Sequence, residues 1–301
     1  MFDCEKDRSM TATNKLRALL NQPAMLAAPG AYDCVSARAI ERAGFSAVYM
    51  TGAGTAATLG YPDYGLVTMS EMAANAGRIA EAVGVPVIAD ADTGYGNELN
   101  VIRTVREYEK LGVAGMHIED QGFPKKCGHL EDKEIIPRED YVAKIRAAAS
   151  AKKSQDFLII ARTDSRAVLG FDEAIARANA ALSAGADMAF VEAPQSMEEV
   201  EAVPRLVKGP CLLNMVWRGK TPEVTLPEAE RMGYRLSIIP GVVTRAMLGA
   251  AERALAELMS TGRQPKPELD LTPAEGFRRS GADEWDRYRR AFREQPKRAA
   301  E

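Results

Sequence analysis

Residues 86–97, PVIADADTGYGN, contain the pattern on which the fold prediction rests. The short apolar run PVIA leads into two aspartates and two glycines, and the amphipathic stretch ELNVIRTVREYEKLG begins at residue 98. A buried parallel strand has this continuous apolar character because both of its faces are covered. The segment therefore predicts one strand–helix unit with polar groups at the end of the strand.

The same pattern occurs eight times along the chain. The other seven apolar runs are MLAAPG (25–30), SAVYMTG (46–52), GMHIED (115–120), FLIIARTD (157–164), MAFVEAP (188–194), CLLNMV (211–216) and LSIIPG (236–241). The helical stretches between them include CVSARAIERAG (34–44), MSEMAANAGRIAEAVG (69–84) and FDEAIARANAALSAG (171–185). Eight such units predict an α/β fold, a closed (β/α)8 barrel. A doubly wound open sheet is the alternative, but no GxGxxG opens the first helix.

The barrel is expected to occupy residues 1–262 as one domain. The stretch RQPKPELDLTPAEG (263–276) is typical of a linker, and ADEWDRYRRAFREQ (282–295) predicts a final amphipathic helix. Trp285, Tyr288 and Phe292 form an aromatic stripe on it. A stripe beyond a finished barrel must pack on the barrel's own surface or on a partner chain. Residues 263–301 are therefore predicted to be a helical extension.

Composition narrows the class of protein. A net charge of −3 over 301 residues gives no basic excess for binding nucleic acid. No apolar run approaches the roughly 20 residues that cross a bilayer, and the charged start MFDCEKDRSM lacks the apolar core of a secretion signal. Four cysteines without CxxC spacing favour a reducing compartment. We expect no nucleic-acid or membrane partner and a cytoplasmic location, with an organelle matrix left open.

Three carboxylates follow neighbouring strands. Asp90 and Asp92 end the third apolar run, and Glu119 ends the fourth. The carboxyl ends of barrel strands gather the catalytic groups, so these side chains should converge, and converging carboxylates need a cation. Oxygen ligands favour Mg²⁺. The alternative for each single residue is a helix cap.

Other strand ends also carry polar groups. The guanidinium of Arg162 suits a substrate carboxylate, or it forms an ion pair with Glu192. The stretch TGAG (51–54) offers backbone N–H groups to a carboxylate oxygen. His117, inside an apolar run, is interpreted as a buried, hydrogen-bonded core histidine. The remaining strand-end candidates for substrate binding are Thr51, Gly52, Ala53, Glu192 and Asn214.

The stretch KKCGH holds Lys125, Lys126, Cys127, Gly128 and His129. A thiol among cations should have a pKa below that of a free cysteine. From the residues alone, Cys127 suits a nucleophile, a metal ligand or a proton donor and acceptor.

Together, DADTGYGN, HIEDQ, KKCGH, ARTD and VEAP resemble the isocitrate lyase / phosphoenolpyruvate mutase superfamily, over about residues 15–260. The chain is most similar to the short lyases of that superfamily. The resemblance implies retro-aldol cleavage of a 2-hydroxy dicarboxylate with Mg²⁺, or Mn²⁺, as cofactor. It also implies a homotetramer of two helix-swapped dimers.

The resemblance implies a role for each site residue. Asp92 would contact the metal, and Asp90 and Glu119 would hold its waters. Cys127 would be the acid/base. Lys125, Lys126 and His129 would tune the pKa of Cys127, and Arg162 would bind a substrate carboxylate. Tyr49 would help to remove the hydroxyl proton of the substrate. Asp63 would lie in a gating loop, and Gly128 would contact the substrate.

Substrate choice is expected to depend on Pro240. Relatives that hydrolyse oxaloacetate tend to have a serine near this position, and proline has no hydroxyl group. This favours a lyase for a substrate such as 2,3-dimethylmalate, giving pyruvate and propionate. The alternatives are an oxaloacetate acetylhydrolase, a methylisocitrate lyase and a non-catalytic barrel that binds a dicarboxylate.

Overall fold

The structure is a computed structural model that describes residues 10–293. The N-terminal segment considered for a secretion signal lies outside the described residues, except for Met10. Residues 294–295, the end of the predicted final helix, also lie outside them.

Eight parallel strands close into a barrel in the order in which they occur along the chain. All eight apolar runs form strands, so the predicted (β/α)8 fold is confirmed. The first and last strands pair in parallel, with Leu26 opposite Leu236, and this pairing closes the barrel. The strands are β1 Leu26–Ala31, β2 Val48–Met50, β3 Val87–Asp90, β4 Gly115–Glu119, β5 Leu158–Thr163, β6 Met188–Val191, β7 Cys211–Asn214 and β8 Leu236–Ile239.

Helices surround the barrel at the positions that the amphipathic stretches predict. Side-chain caps define several of their starts. Asn97 accepts from the Leu99 N–H at the start of the helix Glu98–Lys110, and Thr68 accepts from the Glu71 N–H at the start of the helix Met69–Ala82. The helices are α1 Ala12–Leu20, α2 Cys34–Arg42, α3 Gly52–Thr58, α4 Met69–Ala82, α5 Glu98–Lys110, α6 Arg138–Ala151, α7 Arg166–Leu169, α8 Phe171–Ser183, α9 Met197–Leu206, α10 Leu226–Met232, α11 Val242–Thr261, α12 Pro273–Arg279 and α13 Ala282–Arg293.

The strand alternation decides which polar groups enter the barrel. Ile88 and Leu212 belong to the cluster of buried side chains that fills the interior. Successive side chains on a strand point to opposite faces, so residues two positions further along point the same way. Asp90 and Asn214 therefore point inward at the carboxyl ends of β3 and β7.

The chain divides into two compact units between Ala246 and Met247, within α11. The predicted domain boundary at residue 262 stays a prediction. In the second unit, α13 forms as predicted, and Trp285 and Phe292 are 72% and 88% exposed. Among the described residues, no helix has the length and apolar character needed to span a membrane.

Candidate active site

The three predicted carboxylates lie buried at the carboxyl ends of β3 and β4. Asp90 accepts three hydrogen bonds. Its Oδ1 accepts from the Asp92 N–H at 2.9 Å, and its Oδ2 accepts from the Gly52 N–H and the Tyr49 hydroxyl, each at 3.2 Å. The Gly52 N–H, predicted to bind substrate, is therefore already used by Asp90. A Cβ at Gly52 would lie 2.4 Å from Asp90 Oδ2, so this contact requires a glycine.

Burial separates the pKa values of the carboxylates. Burial, with the charges of Asp90 and Asp63, raises the pKa of Asp92 to about 6 despite the nearby Lys125. Burial also raises the pKa of Glu119 well above its usual value. Burial is the largest cause in both cases, so each of these carboxylates needs a nearby cation to be stable as an anion.

The pKa of Asp90 shifts in the other direction. Burial alone would raise it, but the charges of His117, Lys125 and Arg162 bring it down to about 2. Asp90 therefore remains an anion that needs the surrounding donors and cations.

The donor set fits a divalent metal ion. Glu119 Oε1 is buried, and the described residues supply it with no hydrogen-bond partner. An oxygen in this position suits a water molecule or a hydrated cation. Residues 10–293 contain no group of three His, Cys, Asp or Glu side chains placed to hold an ion directly. The assignment of Asp92 as a direct ligand, with Asp90 and Glu119 acting through water, stays a prediction.

Lys125 connects the carboxylates to the loop before α4. Its Nζ lies 2.7 Å from Asp92 Oδ1 and 2.5 Å from Asp63 Oδ1. Although burial lowers it, the charges of Asp92, Glu119 and Asp63 raise the pKa of this ammonium well above its usual value. Lys125 therefore stays charged, and its two ion-pair partners are carboxylates and not the thiol of Cys127.

The expected low pKa of Cys127 is wrong. Burial and the charges of Asp63 and Glu192 raise it above the usual value for cysteine. The backbone N–H of His129 bonds to the sulfur and acts in the opposite direction, but it does not prevail. A thiol of this kind is protonated at neutral pH, so it suits a proton donor better than a nucleophile or a metal ligand.

The two ring nitrogens of His129 face different neighbours. Its Nδ1 accepts from the Lys220 N–H at 3.0 Å, so the ring proton lies on Nε2, 2.9 Å from Glu192 Oε1. The expectation that His129 tunes the thiol agrees with the pKa of Cys127, which a backbone hydrogen bond from His129 lowers. What His129 contributes is its backbone N–H.

Lys126 holds its loop in place through backbone hydrogen bonds. Its N–H donates to Gln121 Oε1 at 3.0 Å, and its carbonyl accepts from Gln121 Nε2 at 2.8 Å. Gln121 belongs to the quoted motif HIEDQ, but sequence reasoning assigned it no role.

Arg162 is buried and pairs closely with two carboxylates. Its Nε and Nη2 donate to Asp164 at 2.9 and 3.1 Å, and its Nη1 lies 3.0 Å from Glu119 Oε2. The expected partner Glu192 is more distant, at 4.0 Å. Asp164, the last residue of ARTD, is thus the main partner that sequence reasoning missed.

Gly128 explains the glycine that follows the cysteine. A Cβ at this position would lie 2.5 Å from Arg162 Nη2 and 2.6 Å from Glu192 Oε1. The loop approaches the Arg162–Glu192 pair too closely for any side chain. Glycine is therefore required by this close approach.

Tyr49 and His117 form a hydrogen-bonded pair inside the barrel. The Tyr49 hydroxyl lies 2.9 Å from His117 Nε2, and His117 is fully buried, as predicted. Burial and the charge of Asp90 raise the pKa of Tyr49 well above 10. Tyr49 is therefore a phenol, not a phenolate, at neutral pH.

The remaining predicted contacts lie around the same opening. Asn214 Nδ2 donates to both carboxylate oxygens of Glu192 at 3.2 Å. Burial would raise the pKa of Glu192, but Arg162 and the hydrogen bond from His129 lower it below its usual value. Thr51 caps α3 by accepting from the Gly54 N–H, and Ala53 is exposed in the first turn of that helix.

Comparison with known proteins agrees with this geometry. A family model described as phosphoenolpyruvate phosphomutase matches residues 16–259. The 2,3-dimethylmalate lyase of Eubacterium barkeri is 50% identical over 244 residues, which are 79% of this chain and 84% of the relative. The chain belongs to the phosphoenolpyruvate mutase/isocitrate lyase superfamily. Another superfamily member, the 2-methylisocitrate lyase of Aeropyrum pernix, is 47% identical over 249 residues, which are 83% of this chain and 80% of the relative.

Solved structures of superfamily members share the fold. An oxaloacetate acetylhydrolase in complex with 3,3-difluorooxalacetate has a TM-score of 0.90 and 39% identity, covering 93% of this chain and 97% of that one. A phosphonopyruvate hydrolase in complex with oxalate and Mg²⁺ has a TM-score of 0.84 and 29% identity, covering 95% of this chain and 100% of that one. The predicted superfamily membership is confirmed.

Mg²⁺ affinity should depend on pH through Asp92. Its pKa of about 6 means that protons compete with the metal below pH 6. Affinity measured by isothermal titration calorimetry should be about tenfold weaker at about pH 5 than at about pH 7.5. Asp92→Asn should bind weakly at both values and lose most of this difference. Equal wild-type affinities at the two pH values would contradict the assignment of Asp92.

Proposed function

We propose that this chain is a Mg²⁺-dependent lyase that cleaves a carbon–carbon bond in a 2-hydroxy dicarboxylate. The relatives support a lyase of this superfamily. The observation that carries the proposal is the position of Cys127 in the loop that closely covers Arg162 and Glu192, where burial raises the pKa of its thiol. A neutral acid beside a buried guanidinium suits the protonation of a carboxylate-stabilised carbanion.

The site residues divide the reaction between them. As the C2–C3 bond breaks, its electron pair moves to the departing acid, which becomes an enediolate, and C2 becomes the carbonyl of the 2-oxo acid. The hydroxyl proton passes to Tyr49 Oη while Tyr49 passes its own proton to Asp90 Oδ2, so the proton released by the substrate ends on Asp90. Cys127 then donates its proton to the enediolate carbon, and Arg162 balances the negative charge of the carboxylate group.

Asp92 would hold the metal ion directly, with Asp90 and Glu119 holding its waters. Once bound, Mg²⁺ would act as a Lewis acid for the carboxylate and oxygen atoms at C1 and C2 of the substrate. The buried Glu119 Oε1 supports this assignment because the described residues leave it without a partner. Mn²⁺ prefers similar oxygen ligands and should replace Mg²⁺.

The preferred substrate is 2,3-dimethylmalate or a similar acid. Pro240 follows β8 and lies two positions beyond Ile238, whose side chain is buried in the barrel interior. A proline side chain offers no hydroxyl group to the hydrated C2 of oxaloacetate, which disfavours hydrolysis. The 50% identity to a 2,3-dimethylmalate lyase supports the same choice. Methylisocitrate cleavage is the second candidate, supported by the relative that is 47% identical.

A substrate panel tests the proposal. The protein with Mg²⁺ should release pyruvate and propionate from 2,3-dimethylmalate, and excess EDTA should abolish this release. Oxalate and acetate from oxaloacetate would indicate the hydrolase instead, and pyruvate and succinate would indicate methylisocitrate lyase. Pro240→Ser should raise the oxaloacetate rate relative to the dimethylmalate rate. Binding of a dicarboxylate without turnover of any of the three substrates would indicate a non-catalytic barrel.

Cys127→Ser should separate binding from proton transfer. The hydroxyl group is nearly isosteric with the thiol but is a far weaker acid. We expect kcat to fall by about 10²–10⁴-fold with a small change in KM. Circular dichroism should show an unchanged fold. A variant that turns over at a rate near that of the wild type would transfer the acid role to Tyr49 or to a water molecule.

Assembly as a homotetramer of helix-swapped dimers is also proposed. The support is apolar surface that this chain leaves exposed, since Leu255 and Met259 on α11 are 63% and 87% exposed. Exposed apolar surface of this extent is typical of an interface. Light scattering should give about four times the chain mass of 32.6 kDa, and Leu255→Asp should reduce it. A fully active monomer would contradict this assembly.

A further inference from the structure

Lys133 lies between the KKCGH loop and α6 and has no part in the chemistry described so far. Its side chain is 1% exposed. Its Nζ donates to the carbonyl of Gly128 and lies 3.1 Å from Asp164 Oδ1. A buried ammonium is costly unless it is paired, so these two acceptors define its place.

The Gly128 carbonyl is coupled to the cysteine through one peptide group. The C=O of Gly128 and the N–H of His129 belong to the same planar trans peptide, so they point in opposite directions. The N–H bonds to the sulfur of Cys127. A donor that fixes the carbonyl therefore also fixes the direction of the N–H toward the sulfur.

Asp164 gives Lys133 a second link to the site. Both oxygens of Asp164 already accept from Arg162, at 2.9 and 3.1 Å. Asp164 is thus paired without Lys133. The lysine adds a bridge between the Arg162–Asp164 pair and the carbonyl of Gly128 in the cysteine loop.

We propose that Lys133 is a positioning residue that holds the Gly128–His129 peptide with its N–H directed at Cys127 Sγ. Through Asp164 it also keeps this loop in register with Arg162. The inference rests on the proposed acid role of Cys127 for its importance to catalysis. The geometry that it describes is testable without turnover.

The test is the pH dependence of Cys127 alkylation by iodoacetamide, followed by mass spectrometry of the peptide that contains Cys127. Lys133→Met has similar length but no donor. Without the N–H bond, the thiolate is less stable, and the midpoint should move up by about one pH unit. The rate at a fixed pH below the midpoint should fall about tenfold, with an unchanged plateau at high pH. Lys133→Arg should bring the midpoint most of the way back to the wild-type value.

Lys152→Met is the matched control. Lys152 is also largely buried, and its Nζ lies 3.3 Å from Asp187 Oδ2, beside the start of β5 at the opposite end of the barrel. This variant should lose stability but keep the wild-type alkylation profile. An equal shift in Lys152→Met, or an unchanged or faster profile in Lys133→Met, would overturn the proposal.

The wild-type protein supplies a test that needs no variant, in case Lys133→Met does not fold. Hydrogen exchange at the His129 amide should be at least about tenfold slower than in an unstructured peptide, because the N–H is bonded to sulfur. Exchange at the free-peptide rate would overturn the proposal. If Cys127→Ser proves fully active while these measurements succeed, the catalytic role of Cys127 fails but the positioning of its loop stands.

Discussion

The site depends on one buried positive charge, the guanidinium of Arg162, which is 6% exposed. Asp164 and Glu119 lie within 3.1 Å of it, and Glu192 lies at 4.0 Å. Carboxylates at this depth would be unstable without such a partner, because burial penalises the charged form. The arginine therefore determines how closely β4, β5 and β6 can bring their acidic ends together, and it leaves room above it only for glycine at position 128.

Much of this arrangement can be predicted from local sequence. Each strand is a short apolar run, and the rule that barrel chemistry lies at the carboxyl ends of strands depends only on where the run stops. That rule correctly places Asp90, Glu119 and Asn214 around one opening. His117 is likewise predictable as a core residue, because apolar neighbours surround it in the sequence.

The pairings are not predictable in this way, because they join residues that are distant in sequence. Lys125 and Cys127 are near neighbours in the chain, and that proximity suggests a cation beside the thiol. In the fold, the ammonium of Lys125 pairs with Asp92 and Asp63, and the nearest influences on the thiol are burial and two carboxylates. Lys133 had no local signal at all, because its partner Asp164 lies 31 residues further along the chain.

A raised thiol pKa has a consequence for the direction of the proposed reaction. Cleavage requires the thiol, whereas the reverse condensation requires the thiolate, so the observed environment prepares the protein for cleavage. Asp63 contributes to this state in two ways: its charge raises the pKa of Cys127, and it pairs with Lys125. Because Asp63 lies in the loop before α4, the position of that loop and the protonation of the acid are linked. In this structure, with Asp63 against Lys125, the charge of Asp63 helps to keep the thiol of Cys127 protonated.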